Sequence, residues 1–124
     1  MLRVEKFSDG IAINGDSTSK EVLQEIKSHL GEEQVHLIVT DPPYGNVVPE
    51  DWDRWTGDQK SFADWLLSWT RTYSDLLVPN GAMYVWGGYG TPGFRPFYEY
   101  YARVENETSL KVSNLITWSK RRAY

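Results

Sequence analysis

A chain of 124 residues is about one domain in length and is large enough to bury a hydrophobic core. Hydrophobic residues make up 40% of it and charged residues 24%, which excludes an intrinsically disordered chain. The absence of cysteine excludes disulfides, thiolate metal ligands and a thiol nucleophile, and the net charge of -4 argues against a protein that coats nucleic acid with general positive charge.

The first quarter of the chain predicts two short strands and a helix. The segments LRVEKF and DGIAIN are typical of two strands that meet around the turn pair Asp9-Gly10. In the segment that follows, Thr18 and Glu21 form a capping-box pattern at the start of an amphipathic helix. Gly31 stands where the C-terminal cap of this helix belongs.

The middle of the chain predicts a buried strand, a long helix and a second strand. The run VHLIVT is apolar and β-branched, as in a central parallel strand that is covered on both faces. After an irregular stretch, apolar residues at three- and four-residue spacing predict a helix over 61–78, with Ser61 and Asp64 able to cap its start. We expect residues 79–81 to end that helix and residues 82–86 to form the next buried strand.

The last third predicts a helix from about Phe94 to Val104, a strand over LKVSNLITW and a basic tail, SKRRAY. This alternation of strands and helices predicts an α/β fold, a three-layer α/β/α sandwich around a mainly parallel sheet. Ligands of such sheets bind beyond the carboxyl ends of the strands. Three segments follow strands there: NGDS, DPPYGN and WGGYGTPG.

The segment DPPYG (41–45) carries the clearest chemical signal. Asp, Pro and Gly are all turn formers, so an ordinary turn is the simplest interpretation. However, Pro42 and Pro43 remove two backbone donors and leave carbonyls as the local polar groups. The Asp41 carboxylate, a backbone carbonyl and the ring of Tyr44 then suit a planar group that carries an NH2.

Asp41-Pro42-Pro43-Tyr44 at the end of a buried strand resembles the catalytic motif of S-adenosylmethionine-dependent amino methyltransferases that act on DNA. The segments INGDSTSKEVLQEI, VHLIVTDPPYG, LLVPNGAMYVWG and NLITWSK resemble the permuted (beta) class of adenine-N6 and cytosine-N4 enzymes, in which the catalytic half comes first. The resemblance implies a Rossmann-like methyltransferase fold, S-adenosylmethionine as cofactor and double-stranded DNA as substrate. It also implies catalytic roles for Asp41, Pro42, Pro43 and Tyr44, and cofactor binding by Asp16, Ser17 and Asp41.

The chemistry of such a reaction fits these residues. The lone pair of an aromatic exocyclic amine is delocalised into the ring, so the amine is a poor nucleophile. Acceptance of its two hydrogens by the Asp41 carboxylate and the Pro42 carbonyl favours a pyramidal nitrogen, and positioning and electrostatics supply most of the catalysis. Tyr44 would stack on a base that has left the duplex. Because an aspartate at the first motif position is a charged acceptor, we expect adenine N6 rather than cytosine N4, where relatives more often carry serine.

The sequence departs from that class in three respects: it has no Phe-x-Gly-x-Gly cofactor loop, no lysine-proline segment before it and no target-recognition region. We therefore interpret residues 1–124 as the catalytic half of a methyltransferase domain that works with a complementary C-terminal half or subunit. A methyltransferase for protein glutamine or RNA and a non-catalytic nucleic-acid-binding remnant stay open as alternatives. Relatives that modify glutamine or RNA usually begin the tetrapeptide with Asn, which the Asp at position 41 does not match.

The remaining signals are weaker. Residues 88–93, GYGTPG, match a dinucleotide-loop pattern, but Pro92 lies inside it, so a wall of the target pocket is the better interpretation. Lys120, Arg121 and Arg122 can hold DNA phosphates or simply form a solvated basic terminus. The acidic-aromatic stretch EDWDRW could form a lid beside the pocket, although such loops need no function.

Two further expectations concern metal ions and cellular location. The two histidines are isolated and lack metal-ligand spacing, so we expect no metal. Because the sequence contains neither an apolar signal core nor a long apolar run, we expect a cytoplasmic protein.

Overall fold

The computed structural model describes residues 2–120, which form a mixed α/β fold. A short 3-10 helix, Asp51–Asp53, follows the third strand. None of the described helices is both long and apolar enough to cross a membrane. In chain order the main elements are β1 (Arg3–Phe7), β2 (Gly10–Asn14), α1 (Lys20–Leu30), β3 (Val35–Thr40), α2 (Gln59–Ser74), β4 (Leu77–Val85) and α3 (Pro96–Glu107).

The two N-terminal strands form an antiparallel hairpin, and their prediction is confirmed. Phe7 pairs with Gly10 across the turn, and Arg3 pairs with Asn14 at the open end. Because neither of these strands pairs with β3 or β4, the described residues form two two-stranded sheets instead of the expected single sheet.

Helix α1 begins one residue later than the predicted capping box would require. Ser19, and not Thr18, is the N-cap, because its hydroxyl accepts a hydrogen bond from the Val22 amide at 3.2 Å. The Thr18 hydroxyl instead donates to Asp16 at 2.6 Å, so the predicted Thr18–Glu21 box was wrong. Gly31 is the C-terminal cap as expected, with a φ of 64° and its amide bonded to the Lys27 carbonyl.

Strands β3 and β4 are parallel, as predicted, but the sheet is covered on one face only. Val85 on the covered face packs against the core between α2 and α3. On the other face, Leu37 is 53% exposed, Val39 61% and Tyr84 54%. The prediction that β3 is covered on both faces was therefore wrong, because the two helices that cover the sheet lie on the same side.

The helices α2 and α3 pack against each other and enclose the main core, which consists of Phe62, Leu66, Leu67, Phe97, Tyr100 and Val104. Asp58 caps α2 by accepting the Ser61 amide at 2.8 Å, so the predicted caps Ser61 and Asp64 were wrong. The helix ends at Ser74, four residues before the predicted end at 78. Residues 79–81 lie inside β4, where Asn80 has a φ of 66° and the pairing with β3 is irregular.

The predicted strand over residues 110–118 is absent, because this segment pairs with no strand among the described residues and runs in an irregular conformation. Its start is held by a hydrogen bond from the Val112 amide to the Glu105 carboxylate at 2.8 Å. Beyond that point Leu115, Ile116 and Trp118 are 68–76% exposed. A segment with an alternating apolar pattern forms a strand only where a neighbouring strand is available to pair with it.

Candidate active site

The segments that follow β3 and β4 lie side by side at the carboxyl edge of the parallel sheet. The Trp86 amide donates to the Thr40 carbonyl at 2.9 Å, which continues the strand pairing up to the residue before Asp41. A Cβ atom added at Gly88 would lie 3.3 Å from the ring of Tyr44. Two of the three segments expected at this edge, DPPYGN and WGGYGTPG, are thus in contact.

Asp41 and Tyr44 are joined by a side-chain hydrogen bond. The Tyr44 hydroxyl donates to Oδ1 of Asp41 at 2.8 Å. Burial, this hydrogen bond and the negative charge of Asp41 raise the pKa of Tyr44 to about 12, so the phenol stays protonated at neutral pH. Asp41 is exposed, and among residues 2–120 its Oδ2 has no hydrogen-bond partner, which leaves one carboxylate oxygen available to a ligand.

The ring of Tyr44 is fixed by aromatic packing and by glycine. It meets Phe97 edge to face with 5.8 Å between the ring centroids. A Cβ atom at Gly87 would lie 2.5 Å from the Phe97 ring, so this backbone passes too close for any side chain. The glycine-rich segment therefore forms a wall beside Tyr44, in line with the preferred interpretation.

The rest of that segment contains a tight turn. Thr91 and Phe94 exchange two backbone hydrogen bonds at 2.9 and 3.0 Å around Pro92 and Gly93. With Gly93 at a φ of 81°, the geometry is that of a type II turn with proline at its second position. The amides at both ends of the turn are therefore already bonded within the chain, which leaves them unable to receive phosphate oxygens.

Asp53 anchors the loop that carries the motif, a role that the sequence analysis did not predict. It is 2% exposed, and its Oδ1 accepts the amides of Tyr44 and Gly45 at 2.7 and 2.8 Å. Its Oδ2 accepts the amides of Val47 and Val48 at 2.7 and 2.9 Å. Burial alone would raise the pKa of Asp53, but the four amides outweigh it and hold the pKa below its ordinary value.

The stretch EDWDRW therefore includes an anchor as well as an exposed surface. Trp52 is 66% exposed, as a lid residue would be, whereas Asp53 beside it points inward and holds the motif loop. The only hint in the sequence was a carboxylate near turn residues. Which of the several acids in this region is buried depends on the tertiary fold, so the sequence pattern could not identify it.

Pro42 and Pro43 are half-buried between Asp41 and Tyr44. Neither has a backbone donor, and the Pro42 carbonyl accepts no hydrogen bond from the described residues. An acceptor without a partner thus adjoins the exposed carboxylate of Asp41.

Asp16 and Ser17 occupy a different loop, between β2 and α1. Asp16 is exposed, and its Oδ1 accepts both the amide and the hydroxyl of Thr18. The hydroxyl and amide of Thr18 lower the pKa of Asp16. The Ser17 carbonyl accepts the Tyr73 hydroxyl at 2.6 Å, which ties this loop to the end of α2. In the part of the chain that the structure describes, no hydrogen bond joins either residue to Asp41.

The remaining predicted site residues are in the tail. Lys120 is exposed at the end of the described chain, and Arg121 and Arg122 lie outside the described residues. Within residues 2–120 no three histidine, aspartate or glutamate side chains form a group that could hold a metal ion.

Comparison with known proteins gives one match. A family model described as DNA methylase, of the N6/N4 methyltransferase type, matches residues 35–124. The match begins at the first residue of β3 and includes the motif loop, Asp53, the glycine-rich segment and the tail. No curated protein and no solved structure matches the chain.

Proposed function

The chain belongs to the N6/N4 family of DNA methylases, and from this premise we propose that Asp41 and Pro42 bind the exocyclic amine of a DNA base for methyl transfer. S-adenosylmethionine would supply an electrophilic methyl group on a sulfonium. The observation that carries the proposal is the pair of unused acceptors, Asp41 Oδ2 and the Pro42 carbonyl, beside a tyrosine whose hydroxyl is already committed to Oδ1.

The two acceptors explain how an aromatic amine becomes a nucleophile. Each accepts one of the two amine hydrogens, which draws the nitrogen towards a pyramidal geometry and localises its lone pair. The Asp41 carboxylate also stabilises the positive charge that develops on the nitrogen, without having to remove a proton beforehand. Tyr44 holds Asp41 in place through its hydroxyl, and its ring offers a surface for a base that has left the duplex.

We propose Asp16, Ser17 and Asp41 as the residues that hold the cofactor. The Asp16 carboxylate suits such a role because Oδ2 has no hydrogen-bond partner among residues 2–120 and the side chain is exposed. It can therefore accept hydrogen bonds from hydroxyl or amino groups. Since residues 1–124 contain no Phe-x-Gly-x-Gly loop, the chain offers few groups for the methionine part, and we expect weak cofactor binding by residues 1–124 alone.

Adenine N6 is the amine that we propose, with cytosine N4 as the alternative. The negative charge of Asp41 favours an amine that gains positive charge, and this holds for both bases. The ring of Tyr44 is broad enough to stack a purine but would also stack a pyrimidine. The preference for adenine therefore rests on the resemblance alone, because cytosine-N4 relatives more often carry serine where this chain has Asp41.

The proposal extends to the assembly around the site. Lys120, Arg121 and Arg122 would contact phosphates of double-stranded DNA. Residues 1–124 would act as the catalytic half of a domain completed by a C-terminal half or subunit, with a three-layer α/β/α sandwich as the assembled fold. The parallel β3–β4 pair with α2 and α3 on one face supports that architecture. We propose the cytoplasm as its location.

The test supplies the chain with such a C-terminal half, labelled S-adenosylmethionine and mixed-sequence DNA, followed by nucleoside analysis. We expect label on N6-methyladenosine, and Asp41→Asn should reduce the rate about a hundredfold or more. The matched control is Asp51→Asn, an exposed carboxylate paired with Arg54 at 3.2 Å. Label on N4-methylcytosine would overturn the base assignment, label only on RNA or protein would overturn the DNA assignment, and unchanged turnover by Asp41→Asn would overturn the site.

A separate measurement tests the cofactor residues. Titration calorimetry of residues 1–124 with S-adenosylmethionine should show weak binding or none. Micromolar binding by the chain alone would contradict this expectation and would direct attention back to the glycine-rich segment. Asp16→Ala should weaken cofactor binding by the assembled enzyme without changing its DNA binding.

A further inference from the structure

The carboxylate of Asp53 has an unusual set of partners for a buried charge. All four of its side-chain hydrogen bonds come from backbone amides, and all four amides lie between Tyr44 and Val48. No described cation forms a salt bridge with it; the neighbouring Arg54 pairs with Asp51 instead. Amide dipoles from one short segment thus neutralise the charge, and the segment and the carboxylate depend on each other.

The backbone of this segment has the shape that such convergence requires. Gly45 has a φ of 81° and Asn46 a φ of 60°, so two successive residues adopt the left-handed conformation. Glycine and asparagine are the residues that adopt this conformation most readily, and the sharp bend that it produces lets the amides on either side of it face the Asp53 carboxylate. The Asn46 amide also donates to the backbone carbonyl of Asp53 at 2.6 Å, so both the main chain and the side chain of Asp53 receive bonds from this loop.

A second clamp keeps the loop and its anchor in register. The Asn46 side chain accepts the Trp55 amide at 2.9 Å and donates to the Trp55 carbonyl at 3.0 Å. Trp55 is in turn bonded through its indole nitrogen to Ser61 at the start of α2. The segment is therefore attached to the helical core through groups on either side of Asp53.

We propose that Asp53 is the positioning residue of the methylase site, which sets the conformation of residues 44–48 and thereby directs Tyr44 onto Asp41. The proposal rests on the function proposed above for Asp41. Tyr44 is the link, because its amide binds Asp53 while its hydroxyl binds Asp41. A loop that lost Asp53 would release the Tyr44 backbone, and the Asp41 carboxylate would lose the hydroxyl that fixes Oδ1.

The number of acceptors explains why a carboxylate is required at position 53. Asparagine has nearly the same shape but offers one oxygen, so two of the four amides would face an NH2 group and lose their bonds. Glutamate keeps both oxygens but places them one methylene further out. Asp53→Asn therefore removes half of the anchor with almost no change of volume, and Asp51→Asn, two residues away on the surface, is its matched control.

The first experiment uses the complete chain and does not depend on methyl transfer. In the wild type, hydrogen-bond scalar couplings should connect the amide nitrogens of residues 44, 45, 47 and 48 with the side-chain carboxyl carbon of Asp53. Asp53→Asn should shift these four amide signals and lower the pKa of Tyr44 from about 12 towards its ordinary value, whereas Asp51→Asn should change neither. Absence of the couplings in the wild type would overturn the proposal, even if the variant fails to fold.

The second experiment measures turnover with the C-terminal half supplied. Asp53→Asn should lower kcat about a hundredfold and leave KM for DNA nearly unchanged, because misplacement of the reacting groups by about 1 Å has an effect of that size. If Asp53→Asn lowers thermal stability but leaves kcat unchanged, the positioning role is overturned. If Asp41→Asn is fully active, the function proposed for Asp41 is wrong. If the Asp53 couplings are nevertheless present, the anchoring of residues 44–48 by Asp53 still holds.

Discussion

Two loops of this chain place an aspartate shortly after a strand, residues 15–19 after β2 and residues 41–48 after β3. In the first loop, the Asp16 side chain bonds to Thr18, two residues away, and remains exposed. In the second, Asp41 bonds to Tyr44, and the loop is held by Asp53, which is nearly completely buried. The first loop is closed mainly by bonds between near neighbours, with one long-range bond from Tyr73 to Ser17, whereas the motif loop depends on several residues brought in by the fold.

This difference indicates which substitutions should disturb each loop. A turn held by neighbours two residues apart should survive changes elsewhere in the domain, because its partners move with it. The motif loop rests on Phe62, Phe94 and Phe97, whose rings surround Gly45 and Tyr44. A substitution that shifts the α2–α3 core should therefore disturb the conformation of the motif loop more than that of residues 15–19.

The largest effect should come from the core beneath the motif loop. Phe62 is 2% exposed and would lie 3.0 Å from a Cβ atom at Gly45. Phe62→Ala should lower the free energy of unfolding by about 4 kcal/mol and shift the amide signals of residues 44–48. Val22→Ala, beneath the other loop, should cost about 2 kcal/mol and leave those signals in place. Urea denaturation and amide spectra of both variants test the contrast, and equal disturbance of both loops by either variant would contradict it.

The anchor itself should have the next largest effect, and the effect should depend on pH. Because the folded pKa of Asp53 lies below its unfolded value, its contribution is present above about pH 4 and is lost as pH falls through the folded pKa. Asp53→Asn should lower the free energy of unfolding by about 2 kcal/mol at neutral pH and make it less sensitive to acid. Urea denaturation at about pH 6 and about pH 3 measures both effects. Asp16→Asn should change acid sensitivity less, since the Thr18 bonds are local.

The two helix N-caps provide a further comparison. Ser19→Ala at α1 should lower the free energy of unfolding by about 1 kcal/mol, and Asp58→Ala at α2 should lower it as well, because each removes one amide acceptor. Only the second should disturb the motif loop, since Asp58 positions Ser61, which holds Trp55 and through it Asn46. Thermal unfolding measures the cost, and the amide signal of Asn46 reports the disturbance.

The smallest effect should be the alkaline titration of Tyr44. Its pKa of about 12 lies above the ordinary value, so the stability that its protonated hydroxyl contributes is present below about pH 10 and is lost as pH rises towards 12. Asp41→Asn should lower that pKa by removing the negative charge. Ultraviolet absorbance of tyrosinate follows the titration, and Tyr44→Phe identifies the signal. If the pKa of Tyr44 is unchanged in Asp41→Asn, the two side chains do not interact as described.

The sequence predicted best what depends on local periodicity. The spacing of Phe62, Leu66 and Trp69 was sufficient to place α2, and the apolar run 35–40 was sufficient to place β3. The N-terminal caps were misplaced by one to three residues, because several of Ser, Thr and Asp stand near each helix start and only the folded geometry decides which of them is the cap. Residues 110–118 have the pattern of a strand without a strand beside them among the described residues.

Only some residues of the site could be predicted from the sequence, because only some of them belong to a local motif. Asp41 and Tyr44 lie within one tetrapeptide, so the motif itself identified them as candidates. Asp53 acts through backbone amides, which every residue other than proline possesses, and its partners therefore leave no trace in the side-chain pattern. The contact of Gly88 with Tyr44 spans more than 40 residues and depends on the pairing of β3 with β4.

The open face of the β3–β4 sheet has a consequence for the behaviour of the protein in concentrated solution. The exposed side chains of Leu37, Val39 and Tyr84 form an apolar surface that favours association between molecules. The net charge of -4 opposes this association because the molecules repel each other. That repulsion vanishes near the isoelectric point of about 5.1. Colloidal stability should therefore fall sharply as a concentrated sample is acidified to that pH, well above the range in which Asp53 is protonated.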